Sequence, residues 1–250
     1  MILFLSAFLS QAHEYRNILR QETDVNGLKN MLALDQKWIK YPAYADREGW
    51  DRLSGDFKDE IIQRGEKALN YEWKVVKATD YLEFGRSGSR QVMEEPFGDN
   101  NSALSALVLA ELTEGKGRFT DQIINGIWHT CEMTSWGLSA VVGLPSFNDQ
   151  IIDLTSGDLG SFLAWTCYFL KDELDKVNPL VSERIRENIR RRILDPYLDR
   201  DDFWWQAFHA APETMVNNWN PWCNFNVLTC FLLLENDLVR LAEAVYRTMT

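Results

Sequence analysis

Histidine is scarce in this 250-residue chain, and His13, His129 and His209 are too scattered to suggest a zinc site, so no metal is expected. Cysteine is scarce too. Cys131, Cys167, Cys223 and Cys230 form no CxxC pair. On one helix Cys223 and Cys230 would stand about 10 Å apart, too far to bridge. Buried free thiols are the expectation. Basic charge is in deficit: 26 Lys and Arg against 37 Asp and Glu leave a net charge of −11. That argues against a general nucleic-acid binder, which needs a basic face. No apolar run is long enough to span a bilayer. No βαβ pattern or period-2 run of note is present either.

What is present is apolar and aromatic. The chain is 46% hydrophobic and 12% aromatic, enough to bury a substantial core as one domain. Ten tryptophans are many for this size. They suit carbohydrate faces, although most tryptophans serve as core packing. The run Ile2-Leu3-Phe4-Leu5-Ser6-Ala7-Phe8-Leu9 is followed by Ser10-Gln11-Ala12, small residues where a signal peptidase would cut. Residues 1–12 read as the remnant of a secretory signal, which implies a periplasmic or secreted bacterial protein. A short buried helix is the plainer reading. Residues 13–250 read as one helical domain.

Along the chain, 28–39 reads as a helix ended by Tyr41-Pro42. A second helix is expected over 57–73 and a third over 75–84, stopped by Gly85 and Gly88. Beyond Glu95 the pattern sharpens into three hairpins: 100–112 with 119–133, 156–174 with 180–197, and 221–234 with 237–249. In each, the first helix is apolar nearly all round and the second has a one-sided stripe, such as Ile185, Ile189 and Ile193. Arg184, Arg186, Arg190, Arg191 and Arg192 fall mainly off that stripe and read as a solvated outer face.

The first helices are expected to be capped near Asp99, Ser156 and Asn220, at spacings of 57 (99 to 156) and 64 (156 to 220). All-round apolar helices alternating with one-sided ones imply an inner ring inside an outer ring. The expected fold is all-α, an (α/α) toroid of helical hairpins. Its inner helices run parallel. Their amino ends therefore gather at one mouth, which brings together Asp99-Asn100-Asn101, Glu132 to Trp136, Thr155 to Asp158 and Asn217 to Trp222.

The densest cluster of chemistry is Asn217-Asn218-Trp219-Asn220-Pro221-Trp222-Cys223-Asn224. Asn220 followed by Pro221 reads as an N-cap and first helical position. The amides and indoles then crowd the positive end of a helix, which attracts anions. A capped core helix with aromatic packing explains the same spacing.

This motif resembles the asparagine motif of the heparinase II/III-like and alginate-lyase-like polysaccharide lyases. Trp128-His129-Thr130-Cys131-Glu132-Met133-Thr134-Ser135-Trp136 is similar to that family's Cys-Glu…Trp segment, and Ile193-Leu194-Asp195-Pro196-Tyr197-Leu198 is a weaker match. The three matches keep the family's order over residues from about 90 to 235. The resemblance implies β-elimination at a uronic acid. Asn218 would neutralise the carboxylate as the C5 proton leaves, and a Tyr or His would move the proton. Asn217, Trp219, Asn220, Trp222, Trp136, Glu132 and His129 would bind an acidic polysaccharide or oligouronide, with no cofactor, nucleic acid or membrane.

Two departures stand out. Trp219 follows Asn218 where the family often has His. The hairpin that carries the family's tyrosine would begin near 280, past Thr250, and the family's β-sandwich is absent. The toroid is therefore expected to be incomplete, with an uncovered flank open to self-association. Tyr246 lies on an outer helix and is a poor substitute for the missing tyrosine. Tyr197 and His209 are nearer, each also a structural candidate. Two alternatives stay open: a non-catalytic glycan-binding toroid, and a glycoside hydrolase using carboxylates such as Asp99, Glu132 and Asp158.

Overall fold

A computed structural model describes residues 21–211 and 214–249, and every regular element among them is helical, with no strand. The expected signal at 1–12 lies outside the described residues. In chain order the helices are α1 (Val25–Met31), α2 (Arg47–Ser54), α3 (Lys58–Ala68), α4 (Ala78–Ser87), α5 (Gln91–Glu114) and α6 (Thr120–Glu132). They continue with the single turn α7 (Ser139–Val142), then α8 (Leu154–Val177), α9 (Leu180–Ile189), α10 (Asp195–Asp199), α11 (Trp219–Leu234) and α12 (Leu238–Met249). A π turn, Arg190–Leu194, joins α9 to α10.

The three expected hairpins form: α5 packs on α6, α8 on α9 and α11 on α12. Their one-sided stripes face inward. Ile123, Ile127, Ile185, Ile189 and Ile193 are fully buried, as are Leu241 and Ala242. Burying each such side chain contributes about 1.5–3 kcal/mol relative to exposing it. The long helices α8 and α11 lie against each other, and α3 covers α5. The α3–α5 approach depends on Gly65, where an added Cβ would sit 2.2 Å from Ala110 Cβ. All four cysteines are buried and unbridged.

Several boundaries differ from the sequence reading. Helix α5 begins at Gln91, so Asp99 is no cap but lies inside it, past Pro96. Asp153, not Ser156, caps α8. Its Oδ1 accepts from Ser156 N–H while Ser156 Oγ accepts from Asp153 N–H, both at 2.8 Å, which closes a capping box. Helix α11 starts at Trp219 after Asn218, and Asn220 is not its cap. The long helices thus follow Arg90, Asp153 and Asn218, spacings of 63 (90 to 153) and 65 (153 to 218). Apolar nearly all round as expected, these helices are nonetheless not buried all round: Leu109, Trp222 and Phe225 are exposed.

The expected helix over 28–39 stops at Met31. Leu32 already turns extended, and Gln36 further on takes a left-handed φ of 54°, which no helix admits. Residues 32–46 instead form a strap across the three long helices. Gln36 Nε2 donates to Leu233 O at 3.0 Å on α11. Trp38 and Tyr41 stand edge-on to Trp165 of α8, and Tyr44 Oη donates to Glu111 of α5 at 2.6 Å. The apolar residues that mimic a helical stripe are used as separate anchors.

One member of the Arg cluster departs from the solvated face: Arg190 is exposed, but Arg192 is not. Arg192 is 2% exposed. Its guanidinium donates to the carbonyls of Cys131, Met133 and Thr134 at the carboxyl end of α6. Asn188 Oδ1 and Gln150 Oε1 accept its remaining bonds. A cation there complements the negative helix end. The π turn falls on this residue, within Arg190–Leu194.

Candidate functional site

Hydrogen bonds gather the amino ends of α8 and α11 and the carboxyl end of α6. Asp153 Oδ2 accepts from Leu138 N–H at 2.7 Å, and Thr155 Oγ1 donates to Trp136 O at 3.1 Å. These tie the start of α8 to the segment after α6. Trp205 Nε1 donates to Ile152 O at 2.8 Å, and Asn220 Nδ2 donates to Trp205 O at 3.0 Å. These tie the loop before α11 to the same place.

One turn into α8, Asp158 reaches across to α11. Its Oδ1 accepts from Trp222 Nε1 and from Asn226 Nδ2, each at 2.6 Å. Trp222 and Asn226 are four residues apart and so share a helix face. Asp158 also borders a cavity of about 250 Å³ between α5 and α8. Phe97, Asn101, Ser105, Thr155 and Phe162 line it as well, and among the described residues no Lys or Arg does. Burial raises the Asp158 carboxyl above its ordinary value, against the lowering pull of its two donors, and Asp153 adds to the rise.

The sequence-predicted residues fall into three groups. Asn218, Trp219 and Trp222 stand at this end on the surface. Asn218 is exposed, and its amide makes no hydrogen bond among the described residues. Trp222 is 50% exposed. Trp219 is half-buried against Trp204, with ring centroids 4.9 Å apart. Asn217 and Asn220 hold the backbone instead: Asn217 Oδ1 accepts from Trp219 N–H at 3.0 Å, and Asn220 is the anchor to Trp205.

The remaining three lie elsewhere or inside. Trp136 is 1% exposed, with Nε1 donating to Thr130 O at 2.9 Å, so as folded it offers no face to a sugar. Glu132 is an exposed partner of Arg184 on α9. His129 stacks on Trp73 and meets Asn100, and burial holds its pKa below the ordinary value. Tyr197 is fully buried, donates to Asn224 Oδ1 at 2.8 Å, and is pushed up to about 12 by burial. His209 pairs on the surface with Asp201.

Asn226 was not marked by the sequence reading, whereas Asn101 was expected at the shared mouth, as a cap in the run Asp99-Asn100-Asn101. The usable signal for Asn226 was its position one turn after Trp222. Among the described residues no cluster of three metal-ligating side chains occurs, and no helix is long and apolar enough to cross a membrane. No protein-family model matches the chain, and no curated protein matches it.

Proposed function

We propose that this chain is the helical part of a lyase that cleaves uronic-acid-containing glycans by β-elimination. The observation that carries the reading is Asn218. Its amide, without a hydrogen bond among the described residues, stands at the head of α11, inside the Asn217–Asn224 motif and one turn before Trp222. An amide donor there is suited to the charge that develops on a uronate carboxylate as the neighbouring C5 proton is removed. Half-buried Trp219 and exposed Trp222 supply aromatic faces for sugar rings.

The architecture we propose is an incomplete (α/α) toroid. The spacings of 63 (90 to 153) and 65 (153 to 218) between long-helix starts support it, as does the pairing of each long helix with an amphipathic one. The proton-transferring group is not among the residues at this end: Tyr197 is buried and hydrogen-bonded. General acid–base groups contribute about 10²- to 10⁴-fold in rate, so the chain alone is expected to bind with little turnover. Phe225, 63% exposed on α11, makes self-association the expected behaviour of the open flank. The amino-terminal apolar run supports export.

The hydrolase alternative needs paired carboxylates. Asp99 is bound to Lys74 at 2.5 Å and Glu132 to Arg184, which leaves Asp158 alone beside the cavity. The test is to incubate the purified chain with alginate, heparan sulfate and hyaluronan and follow the ultraviolet absorbance of unsaturated ends. Calorimetry with oligouronides runs alongside. Expected are absorbance near background and weak binding that Asn218→Ala abolishes. Saturated reducing ends would favour hydrolysis. Binding insensitive to Asn218 would favour a plain glycan-binding module.

A further inference from the structure

We propose that the cavity beside Asp158 is a subsite for an uncharged sugar unit, adjacent to the uronate held at Asn218. The substrate would then alternate uronate with a neutral sugar rather than repeat uronate. This inference rests on the lyase reading above and names its substrate class.

Hydrogen-bonding capacity is the first ground. An ionised carboxylate only accepts. Trp222 Nε1 and Asn226 Nδ2 occupy Asp158 Oδ1, while Oδ2 has no partner among the described residues. A ligand group that meets Oδ2 must therefore donate, as a sugar hydroxyl or an acetamido N–H does. The Asn101 amide and the Ser105 hydroxyl also line the cavity and make no side-chain hydrogen bond among the described residues. They offer both donors and acceptors. Phe97 and Phe162 in the lining add apolar faces of the kind a pyranose ring stacks on. Neutral polar edges with aromatic faces match a sugar without charge.

Electrostatics is the second ground. No cation lines this cavity among the described residues, so no positive charge there offsets Asp158. A second carboxylate a few ångströms away meets direct repulsion, and burial already disfavours charge on Asp158. Even at the weaker, fully solvated end of such repulsion the penalty is about fivefold in affinity, and it grows where solvent is excluded.

Position is the third ground. Trp222 N–H donates to Asn218 O at 3.4 Å across one turn of α11. Four residues advance about 6 Å along a helix, so Asn218 and the Trp222–Asp158 pair serve neighbouring units of one chain.

The experiment is calorimetric titration of the chain with two hexasaccharides: an oligomannuronate, which carries a carboxylate on every unit, and unsulfated chondroitin, which alternates uronate with N-acetylhexosamine. The wild-type chain is expected to bind the alternating oligomer about tenfold more tightly or better. Asp158→Asn keeps an acceptor for Trp222 and Asn226. It is expected to shrink the ratio to about twofold, chiefly by tightening the oligomannuronate. Circular dichroism checks that the variant folds. If it does not, the wild-type ratio measured from about 0.05 to about 0.5 M salt serves instead, and it should narrow as the repulsion is screened. Equal wild-type affinities overturn the subsite and leave the lyase reading standing. So does a ratio unmoved by Asp158→Asn, or by salt where that variant does not fold. Failure of both oligomers to bind removes the lyase reading together with the subsite.

Discussion

The amide nitrogen of Asn100 faces Nε2 of His129 at 3.1 Å. The direction of that bond is fixed from the other side. Asn100 Oδ1 accepts from Lys74 N–H and from Tyr71 Oη, both at 2.9 Å, so Nδ2 must be the atom that meets the ring and Lys74 O. His129 Nε2 therefore accepts, and the imidazole is neutral. Around it stand the Lys74–Asp99 ion pair and the Tyr71 phenol, with Trp73 stacked on the ring.

Protonation of His129 would set N–H against N–H at this contact. Its folded pKa lies below the ordinary 6.5 because of burial. A depressed pKa means that the stabilising contribution is complete above about 6.5 and is lost as pH falls through the folded value. Hydrogen exchange of residues 71–77, corrected for intrinsic rate, is expected to speed up as pH falls below the ordinary 6.5 and through the folded value. The His129 ring resonances should titrate below 6.5. A midpoint above 6.5 would contradict the geometry.

Asp158 carries the opposite sign. Its folded pKa is raised above the ordinary 3.8, so the ionised form is the destabilising one. The cost is absent well below that value and appears as pH rises through the folded pKa. Asp158→Asn is expected to raise the thermal midpoint at pH 7 and to leave it unchanged near pH 3. A lowered midpoint at pH 7 would show that the Trp222 and Asn226 bonds outweigh the desolvation.

Arg192 holds the end of α6 with bonds to three carbonyls. Burial, with Arg191 beside it, lowers its guanidinium to about 10, still protonated at neutral pH. Arg192→Leu would strand these carbonyls in the interior, at about 1–3 kcal/mol for each buried group left unpaired. A loss of about 3 kcal/mol or more in urea unfolding is expected. Arg192→Lys should recover only part of it, because an ammonium lacks the planar fork.

Gly126 lies inside α6, where alanine ordinarily gains about 1 kcal/mol. Here an added Cβ would fall 2.4 Å from the Trp73 ring and 2.8 Å from Leu104 Cδ1. Gly126→Ala is expected to lower stability by about 1–3 kcal/mol, as overpacking does. It should also shift the His129 ring resonances, because Trp73 has to move off them.

The isoleucine stripes were legible because burial on one face imposes helical period whatever the partner. The starts of the long helices were less so. Pro96, Gly98 and the Asp99-Asn100-Asn101 run carry the local marks of a break, yet α5 runs through them. Asn100 is committed sideways to Lys74 and His129, a partnership no local rule reveals. Asn220 looked like a cap and is an anchor to Trp205, 15 residues away in sequence. Arg192 looked solvated because amphipathic patterning treats any arginine as outward. Its acceptors are carbonyls 58 to 61 residues away, and carbonyls leave no sequence signature.

The strap over 32–46 has a consequence for synthesis on the ribosome. Gln36 leaves the exit tunnel early, but its acceptor, the carbonyl of Leu233, lies 197 residues later. At about 5–20 residues per second the strap waits roughly 10–40 s for that partner. During that interval Trp38 and Tyr41 have no finished surface to dock on, since Trp165 is itself made late in the wait. The nascent chain therefore carries an exposed aromatic segment until α8 and α11 have been made. A holding chaperone that recognises such segments would have its longest opportunity at residues 32–46, and its release would coincide with completion of α11.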